Sequence, residues 1–172
     1  MRILIALLIA LGLAGCDFSA LFTPPPPEAT PPRPPDVIVR DIEILGAPAE
    51  TPDRQPWDGG FQSPAPDVYA EIVATESGES VRTRTFGNVY DADFPLRDST
   101  FFSILLTDAS QPFTVTIRDD DSGGFSNDDD MWISPPFAFT DLASVTPATY
   151  TFTDLDDRPR VRVRFEFVTS DE

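Results

Sequence analysis

Apolar and polar residues alternate with a period of two in two stretches of the chain. In residues 161–167, valines and phenylalanines alternate with two arginines and a glutamate. In residues 113–118, a phenylalanine, a valine and an isoleucine alternate with two threonines and an arginine. This period is typical of a strand with one face in the core and the other in water. The pattern therefore predicts a strand in each stretch.

Other short apolar segments, separated by residues typical of turns, predict more strands. No window shows the periodicity of an amphipathic helix, and prolines and glycines interrupt every connection. About eight strands after residue 36 predict an all-β fold, an eight-stranded antiparallel β-sandwich with inward-facing phenylalanines, valines and isoleucines. The additional strands are expected near 37–45, 67–74, 81–86, 100–107, 131–139 and 148–153.

The first residues have the pattern of an export signal. Arg2 precedes an apolar run from Ile3 to Leu13, which is too short to span a bilayer as a helix. The run ends in Leu-Ala-Gly-Cys at Cys16, a motif that resembles the lipobox of bacterial lipoproteins. The resemblance implies a signal peptide over 1–15 and a mature protein that begins with Cys16 carrying palmitate or similar acyl chains. The expected location is the bacterial cell envelope, anchored in the inner or the outer membrane through Cys16.

Proline dominates the segment between this cysteine and the first predicted strand. Eight of the twelve residues from Pro24 to Pro35 are proline. Such a run favours an extended polyproline II conformation of about 3.1 Å per residue. Residues 16–36 are therefore predicted to be a lipidated linker that holds a domain of residues 37–172 away from the lipid.

Composition excludes several classes of function. The chain has no histidine, a net charge of −17 and a single cysteine, so nucleic acid is not an expected partner and disulfides within the chain are impossible. Asp121-Ser122-Gly123 matches the loop of aspartic proteases, but the required second copy is absent. We therefore expect a protein that is not an enzyme and is monomeric.

The strongest candidate for chemistry is the loop IRDDDSGGFSNDDDMW, residues 117–132. Six aspartates lie between Asp119 and Asp130, in two triplets. Their carboxylates repel one another, and calcium, which takes six to eight oxygen ligands, would neutralise them. An Asp-x-Asp pair at a strand end directs both side chains to the same side. The alternative is a solvated acidic loop without metal.

Four segments carry a resemblance to a known family: WDGG at 57–60, PDVYAEI at 66–72, TVTIRDDD at 114–121 and DDMWI at 129–133. Together they resemble the C2 domain, a β-sandwich family that binds calcium and lipid. The resemblance implies calcium ligands at Asp58 and Asp67 in a first loop, at Asp119 and Asp121 after a later strand, and at Asp130 as the best fifth ligand.

The sequence also departs from the family pattern. The first loop is long, so Asp53 is an alternative to Asp58. The later loop is long as well, which leaves Asp128, Asp129 and Asp130 interchangeable. The chain has no lysine, whereas lipid-binding members often carry a lysine-rich strand face.

Two further features concern contacts. Phe61 and Phe125 each follow a Gly-Gly pair in the presumed calcium loops and are candidates for contact with a membrane or partner, the alternative being that they fold back on the loop base. Arg160, Arg162 and Arg164 form a stripe on the last strand. The stripe either contacts an anion or pairs with acids of the chain, and the acidic composition favours pairing.

These observations predict a lipid-anchored envelope protein whose calcium-binding C2-like domain serves binding or interaction. One alternative is a metal-free Ig-like sandwich with a structural or adhesive role. Another is a calcium-dependent carbohydrate-binding module, for which Trp57 or Trp132 would be an exposed aromatic platform.

Overall fold

The polypeptide forms two antiparallel β-sheets whose apolar faces share one core. The computed structural model describes residues 31–55, 57, 65–101, 103–121 and 128–169. From Arg33 onward these residues belong to one compact unit, Arg33–Glu172. Nine strands lie in the described part: β1 Asp36–Ile44, β2 Val68–Ala74, β3 Ser80–Arg82, β4 Leu96–Arg97, β5 Ile104–Leu106, β6 Phe113–Asp119, β7 Asp129–Ile133, β8 Ala148–Thr153 and β9 Pro159–Val168.

The strand order defines the two layers. The first sheet has the order β4-β1-β9-β8, with β5 also paired to β1, and the second has the order β3-β2-β6-β7. Neighbouring strands pair antiparallel. The predicted antiparallel β-sandwich is therefore confirmed. The strand that the sequence pattern missed is β4, which has only two residues and a single buried side chain, Leu96.

The alternating patterns place their apolar members in the core as expected. Val161 and Phe165 of β9 and Ile117 of β6 have at most 1% of their surface exposed. Burying each such side chain stabilises the fold by roughly 1.5–3 kcal/mol. The rings of Phe113 and Phe165 both pack edge-on against Phe139, with centroid distances of 5.0 and 4.9 Å. These phenylalanines join the two sheets.

The segment predicted as a strand over 131–139 differs from the structure. Strand β7 ends at Ile133, two residues before Pro135 and Pro136, which lack the N–H groups that a strand must donate. A short helix, α1, follows over Phe139–Leu142. Its Phe139 is fully buried, so this segment contributes a core side chain without continuing the sheet.

The strand predicted over 81–86 is also shorter than expected. Strand β3 ends at Arg82, and Phe86 makes only an isolated bridge with Val68. Among the described residues, no helix is long and apolar enough to cross a membrane. The predicted boundaries of the signal peptide, linker and domain stay predictions.

Candidate functional site

The candidate site lies at one end of the second sheet, where β6 ends and both of its neighbours begin. Because β2 and β7 run antiparallel to β6, their first residues flank the last residue of β6. In the strand register, Asp119 lies opposite Val68 on one side and opposite Asp129 on the other. The first aspartate of the first triplet is therefore held between the two neighbouring strands.

Asp119 links β6 to the residue that precedes β2. Its side chain is on the core side of the sheet and the residue is only 1% exposed. The Oδ1 atom accepts the backbone N–H of Asp67 at 2.9 Å, and the N–H of Asp120 donates to the carbonyl oxygen of Asp67 at 2.7 Å. Burying a carboxylate is costly unless it is hydrogen-bonded, and here a backbone donor lowers that cost.

A turn after β3 forms a third side of the site. The Asn88 N–H donates to Oδ1 of Asp67 at 2.6 Å, and the Thr85 hydroxyl donates to Oδ2 of Asp120 at 2.6 Å. Asn88 has a φ of 54°, and a β-carbon at Gly87 would lie 3.4 Å from Oδ1 of Asp67. The sequence reasoning missed this turn. The Gly-Asn pair was the available signal, because both residues favour turns.

The second triplet is attached to the opposite, outer face of the sheet. The hydroxyl of Tyr69 donates to Oδ2 of Asp128 at 2.7 Å, and Nε of Arg118 donates to Oδ1 of Asp130 at 2.6 Å. Arg118 also lies 3.6 Å from the carboxylate of Glu71. Side chains of β2 and β6 therefore fix the residues that enter β7.

Tyr69 lies at the centre of this outer network. The guanidinium of Arg82 lies 4.5 Å from the centre of its ring. Burial and then the hydrogen bond to Asp128 raise the pKa of Tyr69 above its ordinary value of 10.0. A hydrogen bond with Tyr69 and another with Asp130 raise the pKa of Arg118, although burial opposes this shift. Arg118 therefore stays charged while it holds both groups.

The structure brings together some of the residues predicted as calcium ligands. Asp67 and Asp119 are linked by a hydrogen bond, and Asp121 follows two residues after β6 ends. Asp130 lies on the outer face, paired with Arg118. Cys16, Asp58, Phe61 and Phe125 lie outside the described residues.

The oxygen-only donors at this end of the sheet are of the type that calcium prefers. Asp129 lies opposite Asp119 in the register, whereas Asp130 lies opposite Arg118. Within residues 65–101, 103–121 and 128–169, as in the rest of the described chain, no three acidic side chains converge closely enough to hold a metal ion. The described carboxylates alone therefore do not form a metal site.

The two tryptophans considered as a sugar platform both pack against the core. The indole N–H of Trp57 donates to the carbonyl oxygen of Pro48 at 2.8 Å, which fixes the ring against that loop. Trp132 lies opposite Ile117 in the sheet and is half-buried. This packing reduces the ring surface that either residue offers to a sugar.

Comparison with known proteins gives matches of structure only. No family model matches the chain, and no curated protein sequence matches it. Human GIVD cytosolic phospholipase A2 is similar over 81% of this chain and 17% of its own, with 19% identity and a TM-score of 0.55. A C2 domain of plant Extended Synaptotagmin 1 is similar over 81% of this chain and 100% of its own, with 15% identity and a TM-score of 0.48.

The chain thus spans about a sixth of the length of the human enzyme, and at this identity the likeness concerns the fold alone. The antiparallel β-sandwich expected from the sequence agrees with the structural likeness to the human enzyme.

Proposed function

We propose that the domain is a non-enzymatic calcium-binding module of the C2-like type that serves binding at the bacterial cell envelope. The observation that carries the proposal is the hydrogen bond between Asp119 and the backbone of Asp67, because it joins two acidic segments that are 52 residues apart in sequence. Calcium bound there would neutralise carboxylates that otherwise repel one another.

The strand register supports one choice among the aspartates of the second triplet. Asp129 lies opposite Asp119 and is exposed, whereas Asp128 and Asp130 accept hydrogen bonds from Tyr69 and Arg118 on the outer face. We therefore favour Asp67, Asp119, Asp121 and Asp129 as ligands, with Asp58 as the further ligand that the C2 resemblance implies.

Thermal unfolding of the full chain during a calcium titration tests the proposal, with magnesium as the control ion. A ligand that binds only the folded state stabilises it by about 2.7 kcal/mol at a hundredfold excess over its Kd. Extracellular calcium modules have dissociation constants of about 0.1–1 mM. We expect a calcium-specific rise in Tm at millimolar concentrations.

Two variants make the result specific to the site. Asp121→Asn removes a proposed ligand and should reduce the calcium-dependent rise, whereas Asp141→Asn, an exposed aspartate of α1, should leave it unchanged. No rise in the wild-type protein would favour the metal-free sandwich. An equal rise in all three proteins would indicate that calcium binds elsewhere.

We also propose that Cys16 anchors the protein in the membrane. The lipobox-like motif and the proline-rich linker after it support this role. Incorporation of labelled palmitate in a bacterial host tests it, with Cys16→Ser as the control. The wild-type chain should be labelled and sediment with membranes, and the variant should do neither. Equal labelling of both chains would contradict the anchor.

A further inference from the structure

The outer face of the first sheet contains a polar groove of about 200 Å³. Each of the strands β4, β1, β9 and β8 contributes to it. The register aligns its side chains in two rows, with Glu43 between Arg97 and Arg162, and Arg164 between Asp41 and Thr149. The groove belongs to the sheet that does not carry the acidic loop, so it is separate from the candidate calcium site.

Most charges in the groove are already paired. Arg162 donates to Glu43 at 2.7 Å, and Arg97 donates to Asp41. Arg164 is exposed, and its guanidinium makes no hydrogen bond or ion pair with any residue that the structure describes. Three guanidinium groups against two carboxylates give the groove one net positive charge, in a chain of net charge −17.

The acidic and the basic side chains of the groove lie at different depths. The side chains of Asp41 and Glu43 are only 17% and 18% exposed, whereas those of Arg97 and Arg162 are 62% and 48% exposed. The carboxylates therefore form the floor and the guanidinium groups form the mouth. An anion that approaches the groove meets the arginines first.

We infer that this groove binds a carboxylate group of single negative charge. A guanidinium matches a carboxylate through two parallel hydrogen bonds, and the Thr149 hydroxyl lies beside Arg164 in the register as a further donor. The single negative charge of such a ligand balances the positive charge of Arg164. A dianion such as sulfate is disfavoured by the carboxylates on the floor, since like charges repel strongly at short distance.

The remaining arginines of the stripe show why Arg164 is the binding residue. Arg160 is only 8% exposed and makes two hydrogen bonds to Asp154, at 3.0 and 2.6 Å. Arg162 is held by Glu43. The stripe therefore divides into two arginines that are paired with acids of the chain and one whose charge is available to a ligand.

Titration of the full chain with sodium acetate at constant ionic strength, followed by NMR shifts of backbone amides in β8 and β9, tests the inference. Sodium chloride and sodium sulfate are the comparison ions. We expect saturable shifts around Thr149 and Arg164 with acetate and weaker binding of sulfate. Acetylglycylglycine, compared with its amide, distinguishes a peptide carboxyl terminus from a small free acid as the source of the carboxylate.

Three variants give this test its specificity. Arg164→Gln should weaken acetate binding by at least about fivefold, because it removes a charged hydrogen-bond donor. Arg164→Lys, which keeps the charge but loses the planar fork, should bind with intermediate affinity. Arg158→Gln, at an exposed arginine of the turn before β9, should bind as the wild type does.

One further variant tests the selectivity for a single charge. Glu43→Gln leaves Arg162 unneutralised and should allow sulfate to bind as well as acetate does. Saturable shifts that persist unchanged in Arg164→Gln, or shifts that never saturate in the wild type, would overturn the inference. Calcium is removed with a chelating resin before the measurements, so no soluble polycarboxylate competes for the groove and the outcome is independent of the proposed calcium site.

Discussion

The two aspartate triplets of the acidic loop have the same sequence but different roles in the structure. The first triplet ends a strand, and its first member, Asp119, is buried and hydrogen-bonded to backbone. The second triplet begins a strand, and Asp128 and Asp130 are bound by side chains of the outer face. Identical residues are thus anchored by backbone on one side of the sheet and by Tyr69 and Arg118 on the other.

The difference follows from the alternation of side chains along a strand. Asp119 continues the inward series of β6 that contains Val115 and Ile117, whereas Arg118 belongs to the outward series. The register pairs Arg118 with Asp130, so the second triplet meets a cation on the outer face. The face to which a residue points in its strand, and the residue that it lies opposite in the neighbouring strand, therefore decide which carboxylates are buried and which are paired.

Removing the buried carboxylate should have the largest effect. Asp119→Ala leaves the N–H of Asp67 without its acceptor and should reduce the free energy of unfolding by about 1–3 kcal/mol. Asp129→Ala, at the exposed position opposite in the register, should change it by less than about 0.5 kcal/mol. Urea unfolding of the full chain in a chelator measures both. Equal losses in the two variants would contradict the distinction between the triplets.

A smaller effect is expected from the hydroxyl that holds the second triplet. Tyr69→Phe removes the hydrogen bonds that this hydroxyl makes with Asp128 and Arg118 and keeps the ring under Arg82, so it should cost about 0.5–1.5 kcal/mol. The matched control is Tyr150→Phe, because the Tyr150 hydroxyl makes no hydrogen bond within the described part of the chain. If the two variants lost the same stability, the Tyr69 hydroxyl would not anchor the loop.

The ion pair of the second triplet should contribute less still. Asp130 and Arg118 are both partly exposed, with side-chain exposures of 41% and 34%, so Asp130→Asn should cost about 0.2–1 kcal/mol. About 1 M salt shortens the screening length to about 3 Å and should remove most of this difference. The loss in Asp119→Ala should persist in salt. A salt-independent effect of Asp130→Asn would argue that packing, rather than charge, holds this residue.

The sequence predicted the fold well because the inward side chains alternate in long strands. The strands β6 and β9 have complete alternating patterns, and their inward residues are buried as expected, except that Phe167 at the end of β9 is half-buried. Short elements gave no such signal. Strand β4 has only two residues, which is too few to show an alternation. Helix α1 is a single turn with one buried residue, Phe139, so it shows no helical periodicity. The strand limit at Ile133 was set by prolines that lie after it.

The candidate site was predicted less completely because its geometry depends on register. The Asp-x-Asp pair and the Pro-Asp start of β2 indicated Asp67, Asp119 and Asp121. The C2 resemblance favoured Asp130 in the second triplet, but the long loop between the triplets left Asp128, Asp129 and Asp130 interchangeable. Only pairing with β6 separates Asp129 from Asp130. The turn at Asn88 was missed because its role is a contact with a residue 21 positions away.

The smallest expected effect concerns the alkaline titration of Tyr69, whose hydroxyl holds the second triplet. Burial and the hydrogen bond to Asp128 raise the pKa of Tyr69 above its ordinary value of 10.0. The protonated hydroxyl therefore contributes its full stabilisation below pH 10, and this stabilisation is lost as the pH rises through the higher pKa of the folded state. The difference in phenolate absorbance between the wild type and Tyr69→Phe reports this titration. Asp128→Asn removes one cause of the shift and should lower the Tyr69 midpoint, whereas Asp129→Asn should not. A Tyr69 midpoint at or below 10.0 in the wild type would show that the hydroxyl is not held by the second triplet, and the two triplets would then differ only in burial.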